Sequence, residues 1–450
     1  MKEYHEFIRS NEQGHLEVDG VDVLDLVKEY GSPLFITSAA QLRHNIRRFK
    51  KAFEDNYPER VVVCCGVKSN NGLAVRRIIA QEGAGGDTFG LGELYSALAA
   101  GTDPENIVMN GSNKAEDVIA AAIDAGITLN LDCLDELYKC MRIAEKIGKK
   151  AIITFRMRIP LKDLEGKKFV DPRYGGEGTD VALWEREYKF GLEPKQVFEG
   201  YEIAKASPWI HVRGLQYHGG IPRRAGYYAE ECKEVMGYLK VMKEQYNWEP
   251  EMLDLGGGFT SERYGTKMPD AIEDVAKYIC DAVKDTAKEL GLKLPVLFFE
   301  PGRWCVESAV MLVATVGAIK HDTELTQKTW YYLDANINEN LDPFDPHQKY
   351  HEVVYCNNTD APAVVKVDVA GQLCNAADLL AEQRMLPEMK LNDVVAILDM
   401  GAYNESFANT SNAMPRSAGV LVDNGHVGLY RRRETVQDIF SRDIVPFWLF

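Results

Sequence analysis

The stretch VVVCCGVKSNNG, residues 61–72, runs five apolar residues into Gly66 and Val67 and then stops at Lys68. Valines in so short a run read as a buried strand. An ammonium group at the end of such a strand is out of place unless the fold has a use for it there.

Seven further runs follow: AGGDTF (84–89), NIVMNG (106–111), ITLNLD (127–132), AIITFRM (151–157), HVRGLQYH (211–218), MLDLGG (252–257) and PVLFFE (295–300). Between most of them lie amphipathic stretches such as LGELYSALAAG, AEDVIAAAIDAG, DELYKCMRIAEKIG and AIEDVAKYICDAVKDTAKELG. Their apolar residues recur at helical spacing. Strands alternating with helices imply a parallel sheet. Eight such units in about 250 residues predict an α/β fold, a closed (β/α)8 TIM barrel, over residues 34–302. The segment 159–191 is too long for an ordinary connection and reads as a lid or rim loop.

Beyond Arg303 the pattern changes. AVMLVATVGAIK, TWYYLDAN, HEVVYC, AVVKVDVAG, VVAILDMGAY and SAGVLVDNGHVGLYRRRE are strand-like, and DNGH (423–426) is a hairpin turn signal. The C-terminal third is therefore predicted to be a mainly antiparallel β domain, a sandwich or barrel. It comprises residues 303–450 with 1–33, where HLEVDGVDVLDLVKEYGSP holds one strand and one helix.

Composition narrows the function. Against 68 Asp and Glu stand 52 Lys and Arg, a net charge of −16 in 450 residues, which argues against wholesale nucleic-acid binding. The first residues, MKEYHEFIRSNEQGHLEVDG, lack a signal-peptide pattern, and no apolar run is long enough to span a membrane. Nine cysteines without a CxxC pair read as reduced thiols of a cytoplasmic protein. They form neither a disulfide framework nor a zinc site, and no metal is expected.

In a (β/α)8 barrel, chemistry gathers where strands end. Lys68 ends the first run, His218 the sixth, Gly256, Gly257 and Gly258 the seventh, and Glu300 and Arg303 the eighth. Singly, each has an ordinary reading: a solvated loop lysine, a rim histidine, a tight turn. Together they define one pocket. A lysine at an apolar strand end forms a Schiff base with an aldehyde. A glycine loop with an arginine holds a phosphate, and a carboxylate pairs with a pyridinium nitrogen. Those are a protein's contributions to pyridoxal 5'-phosphate (PLP) chemistry.

The chain resembles the fold-type III PLP-dependent decarboxylases, the alanine-racemase-like barrels. It is most like the diaminopimelate decarboxylases, with ornithine and arginine decarboxylases further off. The likeness rests on PLFITSAAQLRHNI (33–46), GVKSN (66–70), GGDTFGLGELYSAL (85–98), HVRGLQYHGG (211–220), LDLGGGF (253–259), EPGR (300–303), GQLCNAADLL (371–380), DMGAY (399–403) and RRRET (431–435). The resemblance implies that Lys68 carries PLP, with Asp87 and Glu93 near it and His218 stacked on the ring. Gly256 to Gly258, Arg303 and Tyr403 would bind the phosphate, and Glu300 the ring nitrogen. Cys374 would donate a proton to the carbon that loses CO2, and it would come from the partner of a homodimer with shared active sites. Arg303, Asp342, Asn375, Asp378 and Tyr403 would face the amino-acid substrate.

Three motifs depart from diaminopimelate decarboxylase. That enzyme's Cys-Glu-Ser-Gly-Asp is here Cys374, Asn375, Ala376, Ala377, Asp378, an acid replaced by an amide. The segment 333–346 lacks the family's carboxylate-gripping Arg and carries Asp342 and Asp345. The His-Ile-Gly-Ser after the sixth strand becomes His218, Gly219, Gly220, Ile221, followed by Arg223 and Arg224. The expectation is decarboxylation of an amino acid other than meso-diaminopimelate. Asp342 and Asp345 favour a distal cation, as in lysine or ornithine, and Arg223 and Arg224 a distal anion. The alternatives are meso-diaminopimelate itself, an amino-acid racemase, and a non-catalytic regulator. Glu300 weighs against a racemase, whose pyridine nitrogen faces an Arg. The retained lysine and cysteine weigh against a regulator.

Overall fold

All eight apolar runs become strands, and the strands close on themselves. The computed structural model describes residues 2–159, 188–220, 223–260, 270–340 and 351–450. Most of the 159–191 segment, and both Asp342 and Asp345, lie outside them. The chain divides into two units, Arg43–Cys305 and Met1–Leu42 with Val306–Phe450.

In the first unit, β1 (Val61–Gly66), β2 (Gly85–Thr88), β3 (Ile107–Met109), β4 (Thr128–Leu131), β5 (Ala151–Arg156), β6 (Ile210–Gln216), β7 (Met252–Asp254) and β8 (Val296–Phe299) pair in parallel. The barrel closes where Leu297, Phe298 and Phe299 of β8 meet Val61, Val62 and Val63 of β1. Every residue of β1 is buried, because helices cover its outer face and the barrel interior its inner one. Val62, Cys64, Val108, Met252 and Phe298 fill that interior, so the barrel is a packed core and not a pore.

The weak second run has a steric cause. A Cβ at Gly85 would sit 1.8 Å from the Asn106 carbonyl oxygen, so this strand has no room for an apolar side chain there. The helices follow their periodicity. In Ile272–Leu290, Ile272, Val275, Ala276, Ile279, Val283 and Ala287 are buried along one stripe. The helix stops at Gly291, whose φ of +65° suits a residue without a Cβ.

In the second unit, Leu34–Ser38 pairs antiparallel with Val310–His321 and parallel with Ala418–Asp423. Leu34, Ile36, Met311 and Val313 enter one core, while Phe35, Val310, Leu312 and Ala314 enter another. With both faces covered, these strands read as continuous apolar runs rather than alternating ones. The DNGH turn is a two-residue hairpin with Asn424 at φ +50° and Gly425 at φ +78°. The N-terminal segment differs from expectation. It holds the helix Val23–Tyr30 and four strands, Glu3–His5, Ile8–Ser10, Leu16–Val18 and Val21–Asp22. Strands of two or three residues are too short to show a period in sequence. No helix among the described residues is long and apolar enough to cross a membrane.

The cysteines also need correction. Cys64 and Cys65 are both buried in the core, but Cys65 is not a free thiol: it is paired with Cys305 as a disulfide, with Cα atoms 6.3 Å apart. They are separated by 240 residues, so no local spacing could announce the pairing. Titration of the denatured, unreduced protein with a thiol reagent should therefore count seven free thiols, as the structure has them, and nine only after reduction.

Candidate active site

Lys68 sits in the single 3-10 turn Val67–Ser69 that follows β1. Its ammonium pairs with the Oδ2 of Asp87 and lies 4.6 Å from the centre of the Phe89 ring. The pairing follows from register, since Gly66 at the end of β1 lies beside Asp87 of β2. Glu93, in the helix Leu91–Ala99, accepts the Phe89 backbone N–H at 2.8 Å. Burial, reinforced by the Asp87 charge, pushes its carboxyl up, while Lys68 pulls it down.

His218 follows β6 by two residues. Its Nδ1 accepts the Gly220 backbone N–H at 2.8 Å, which assigns the proton of the neutral ring to Nε2. Burial, helped by the charges of Arg156, Lys68 and Arg223, holds the imidazole well below its ordinary range and keeps it neutral.

Glu300 immediately follows β8 and is buried. Its Oε1 accepts from Asn110 Nδ2 at 2.6 Å. No donor among the described residues reaches its Oε2, and His218 Nε2 stands 4.0 Å away. Burial, then the charges of Asp254 and Asp87, push the Glu300 carboxyl well above the usual range, with Lys68 and Arg156 opposing. Asp254, at the end of β7, is pushed up to about 6, chiefly by burial.

The glycine loop is packed between these groups. A Cβ at Gly256 would meet the Tyr217 carbonyl oxygen at 2.6 Å, and one at Gly257 would meet the Glu300 carbonyl oxygen at 2.7 Å. Gly256 and Gly258 have φ of +67° and +95°. Asp254 accepts the Gly256 N–H at 2.9 Å, and Tyr228 donates to the Gly258 carbonyl at 2.7 Å. Arg303 is buried in the short helix Gly302–Val306, three residues after Glu300.

Neither of the arginines that follow His218 is a bare rim charge. Arg223 is fully buried, bonded to Glu231 at 2.9 Å and stacked 4.2 Å over Tyr228. Arg224 is exposed and paired with Asp270 at 3.2 Å. Arg223 is therefore held inside the fold and not presented to a distal carboxylate.

Cys374, Asn375, Asp378 and Tyr403 belong to the other unit. Cys374 is exposed, and its sulfur accepts from Asn412 Nδ2 at 3.0 Å. Asn375 accepts the Ala377 N–H at 3.0 Å. Asp378 is buried, and its carboxylate accepts the backbone N–H groups of Ile337 at 2.9 Å and Leu373 at 2.7 Å. Those bonds hold the loop that carries Cys374. Tyr403 has φ +65° and lies two residues after Gly401, where a Cβ would lie 1.8 Å from the Val306 carbonyl oxygen. Asp342 lies outside the described residues.

Four site residues were missed from sequence: Asn110, Asn130, Asp254 and Arg156. Each lies in or just after a barrel strand, and each is buried. Their signal was a polar residue near the end of successive apolar runs, as in NIVMNG and ITLNLD. Arg156 lies 4.4 Å from the centre of the Phe190 ring.

Comparison with known proteins gives this geometry a family. Residues 39–307 match the family described as "Pyridoxal-dependent decarboxylase, pyridoxal binding domain". The chain belongs to that family. It is a PLP-dependent carboxy-lyase acting on an amino acid. The chain is 33% identical to the diaminopimelate decarboxylase of Methanothermobacter thermautotrophicus, across 98% of each chain. It is 32% identical to that of Archaeoglobus fulgidus, across 98% of this chain and 99% of the other. Its fold matches the crystal structure of the M. jannaschii diaminopimelate decarboxylase in co-complex with L-lysine, with a TM-score of 0.88, 30% identity and 99% of each chain covered.

The barrel end fits the cofactor. Among the described residues no donor reaches Glu300 Oε2, a buried carboxylate oxygen, and at Gly256 and Gly257 only glycine fits the turn that runs between His218 and Glu300. A pH effect follows for the apoprotein. With its folded value near 6, Asp254 keeps a proton that the unfolded chain releases near the ordinary carboxylate value. The stability it contributes is complete below that ordinary value and is lost as pH rises through about 6. Asp254→Asn should raise the apoprotein melting temperature by a few degrees at pH 8, with the gain shrinking to nothing by pH 4. Melting curves across that range check it.

Proposed function

We propose that the enzyme decarboxylates meso-diaminopimelate, exchanging one carboxylate for a proton to give lysine and CO2. The observation that carries this reading is the near full-length likeness to diaminopimelate decarboxylases, 33% and 32% identical across 98% of this chain. The M. jannaschii enzyme, solved with L-lysine, supports the same product.

PLP, when bound, supplies an electron sink for the pair left behind as CO2 departs. Lys68 would hold it through the side-chain amine, with Asp87, its ion-pair partner, holding the proton at Nζ. Glu300 would keep the ring nitrogen protonated. His218, kept neutral, packs on the cofactor without adding a charge. Gly256 to Gly258, Arg303 and Tyr403 bind the phosphate, and Glu93 adds negative charge beside Lys68. Cys374 donates the proton that replaces the carboxylate, from the second subunit of a homodimer. Asn375 and Asp378 would face the substrate.

A second reading is favoured by one observation. Where diaminopimelate decarboxylase carries an Arg for the distal carboxylate, the segment 333–346 has none and carries Asp342 and Asp345. A basic amino acid whose distal group is a cation alone, such as ornithine or lysine, suits that change. CO2 release from meso-diaminopimelate, L- and D-lysine, ornithine, arginine and glutamate separates the two. Turnover confined to meso-diaminopimelate supports the first reading, and turnover confined to one other amino acid replaces it. In either case Lys68→Ala should abolish release. Cys374→Ala should lower kcat by about 100-fold or more with little change in KM.

A further inference from the structure

Asn110 follows β3 and is buried at the centre of the polar layer. Its Nδ2 carries two protons, and both are used. One goes to Asp87 Oδ1 at 2.8 Å and the other to Glu300 Oε1 at 2.6 Å. Its Oδ1 accepts from Asn130 Nδ2 at 3.0 Å. The orientation of this amide is fixed from behind. The Thr154 hydroxyl donates to Asn130 Oδ1, so Asn130 must present its N–H groups to Asn110. The result is a one-way line of donors from β5 through β4 and β3 that ends on two carboxylates.

Those two carboxylates are the ones that matter to the cofactor. Asp87 holds the Lys68 ammonium, and Glu300 offers Oε2 with no competing donor among the described residues. We infer that Asn110 is a positioning residue for the decarboxylation: it fixes Glu300 with Oε2 toward the ring nitrogen and keeps that carboxylate ionised, while anchoring the partner of Lys68. A bond from an amide N–H favours the charged form of a carboxylate. Burial and the neighbouring Asp254 work the other way. Without Asn110, Glu300 becomes the stronger base and takes the proton from the ring nitrogen. The sink weakens although every residue that touches the cofactor is still present.

This inference rests on the assignment of Lys68 and Glu300 to PLP. The test uses holoenzyme reconstituted with PLP labelled with 15N in the ring, comparing wild type with Asn110→Leu, which keeps the volume and removes both donors. The expected result is a ring-nitrogen resonance moved from the protonated toward the neutral position. With it should come a fall in kcat of about 10–100-fold, as for other lost outer-shell partners, and a KM that stays nearly constant. A merely structural asparagine would leave the nitrogen resonance where it was. If Asn110→Leu does not fold, Asn110→Ser, which keeps one donor, is read in the same way with a smaller displacement. An unmoved resonance with wild-type kcat overturns the inference. A wild-type enzyme whose own ring nitrogen is unprotonated overturns the role of Glu300 and this inference with it. A wrong choice of substrate leaves the nitrogen measurement intact.

Discussion

A closed parallel barrel tolerates little unbalanced charge, yet this one gathers Asp87, Asp254 and Glu300 within its buried end. Buried carboxylates persist only when paired or hydrogen-bonded. Here Lys68 pairs with Asp87, and Asn110 and Asn130 feed their N–H groups into the cluster. The balance is incomplete, because burial and mutual repulsion still push Asp254 and Glu300 upward. On the proposed reading, a cationic ring nitrogen held by Glu300 would supply the charge that these groups lack. Burial and the nearby cations of Arg156, Lys68 and Arg223 keep the His218 imidazole neutral.

Backbone geometry holds the arrangement in place. Gly256 and Gly257 pass so close to His218 and to the Glu300 carbonyl that a methyl group fits at neither position. Arg223, which sequence reading offered to the substrate, instead stacks on Tyr228, the tyrosine that bonds the Gly258 carbonyl. In the other unit the loop bearing Cys374 is held by Asp378 from below, and Asn412 reaches the sulfur.

Much of this was legible in sequence. The strand runs showed themselves because both faces of each sheet are buried, and Lys68, His218 and Glu300 stood out as polar residues where apolar runs stop. What stayed hidden is what depends on contacts between distant segments. The pairing of Cys65 with Cys305, 240 residues apart, has no local signature. Asn110 and Asn130 looked like ordinary strand-end residues until the closed barrel brought their ends together. The short N-terminal strands had too few residues to show a period, and Gly85 hid its strand because a neighbouring carbonyl excludes any side chain. On substrate identity the departures at Asn375 and Asp342 pull one way and the family relationship the other.

The central claim is that Lys68, two residues past the end of β1, holds the cofactor. Borohydride reduction of the PLP-loaded protein, followed by peptide mapping, tests it directly. The account predicts one phosphopyridoxyl group per chain, on Lys68. Stoichiometric label on any other lysine, with Lys68 unmodified, would contradict it.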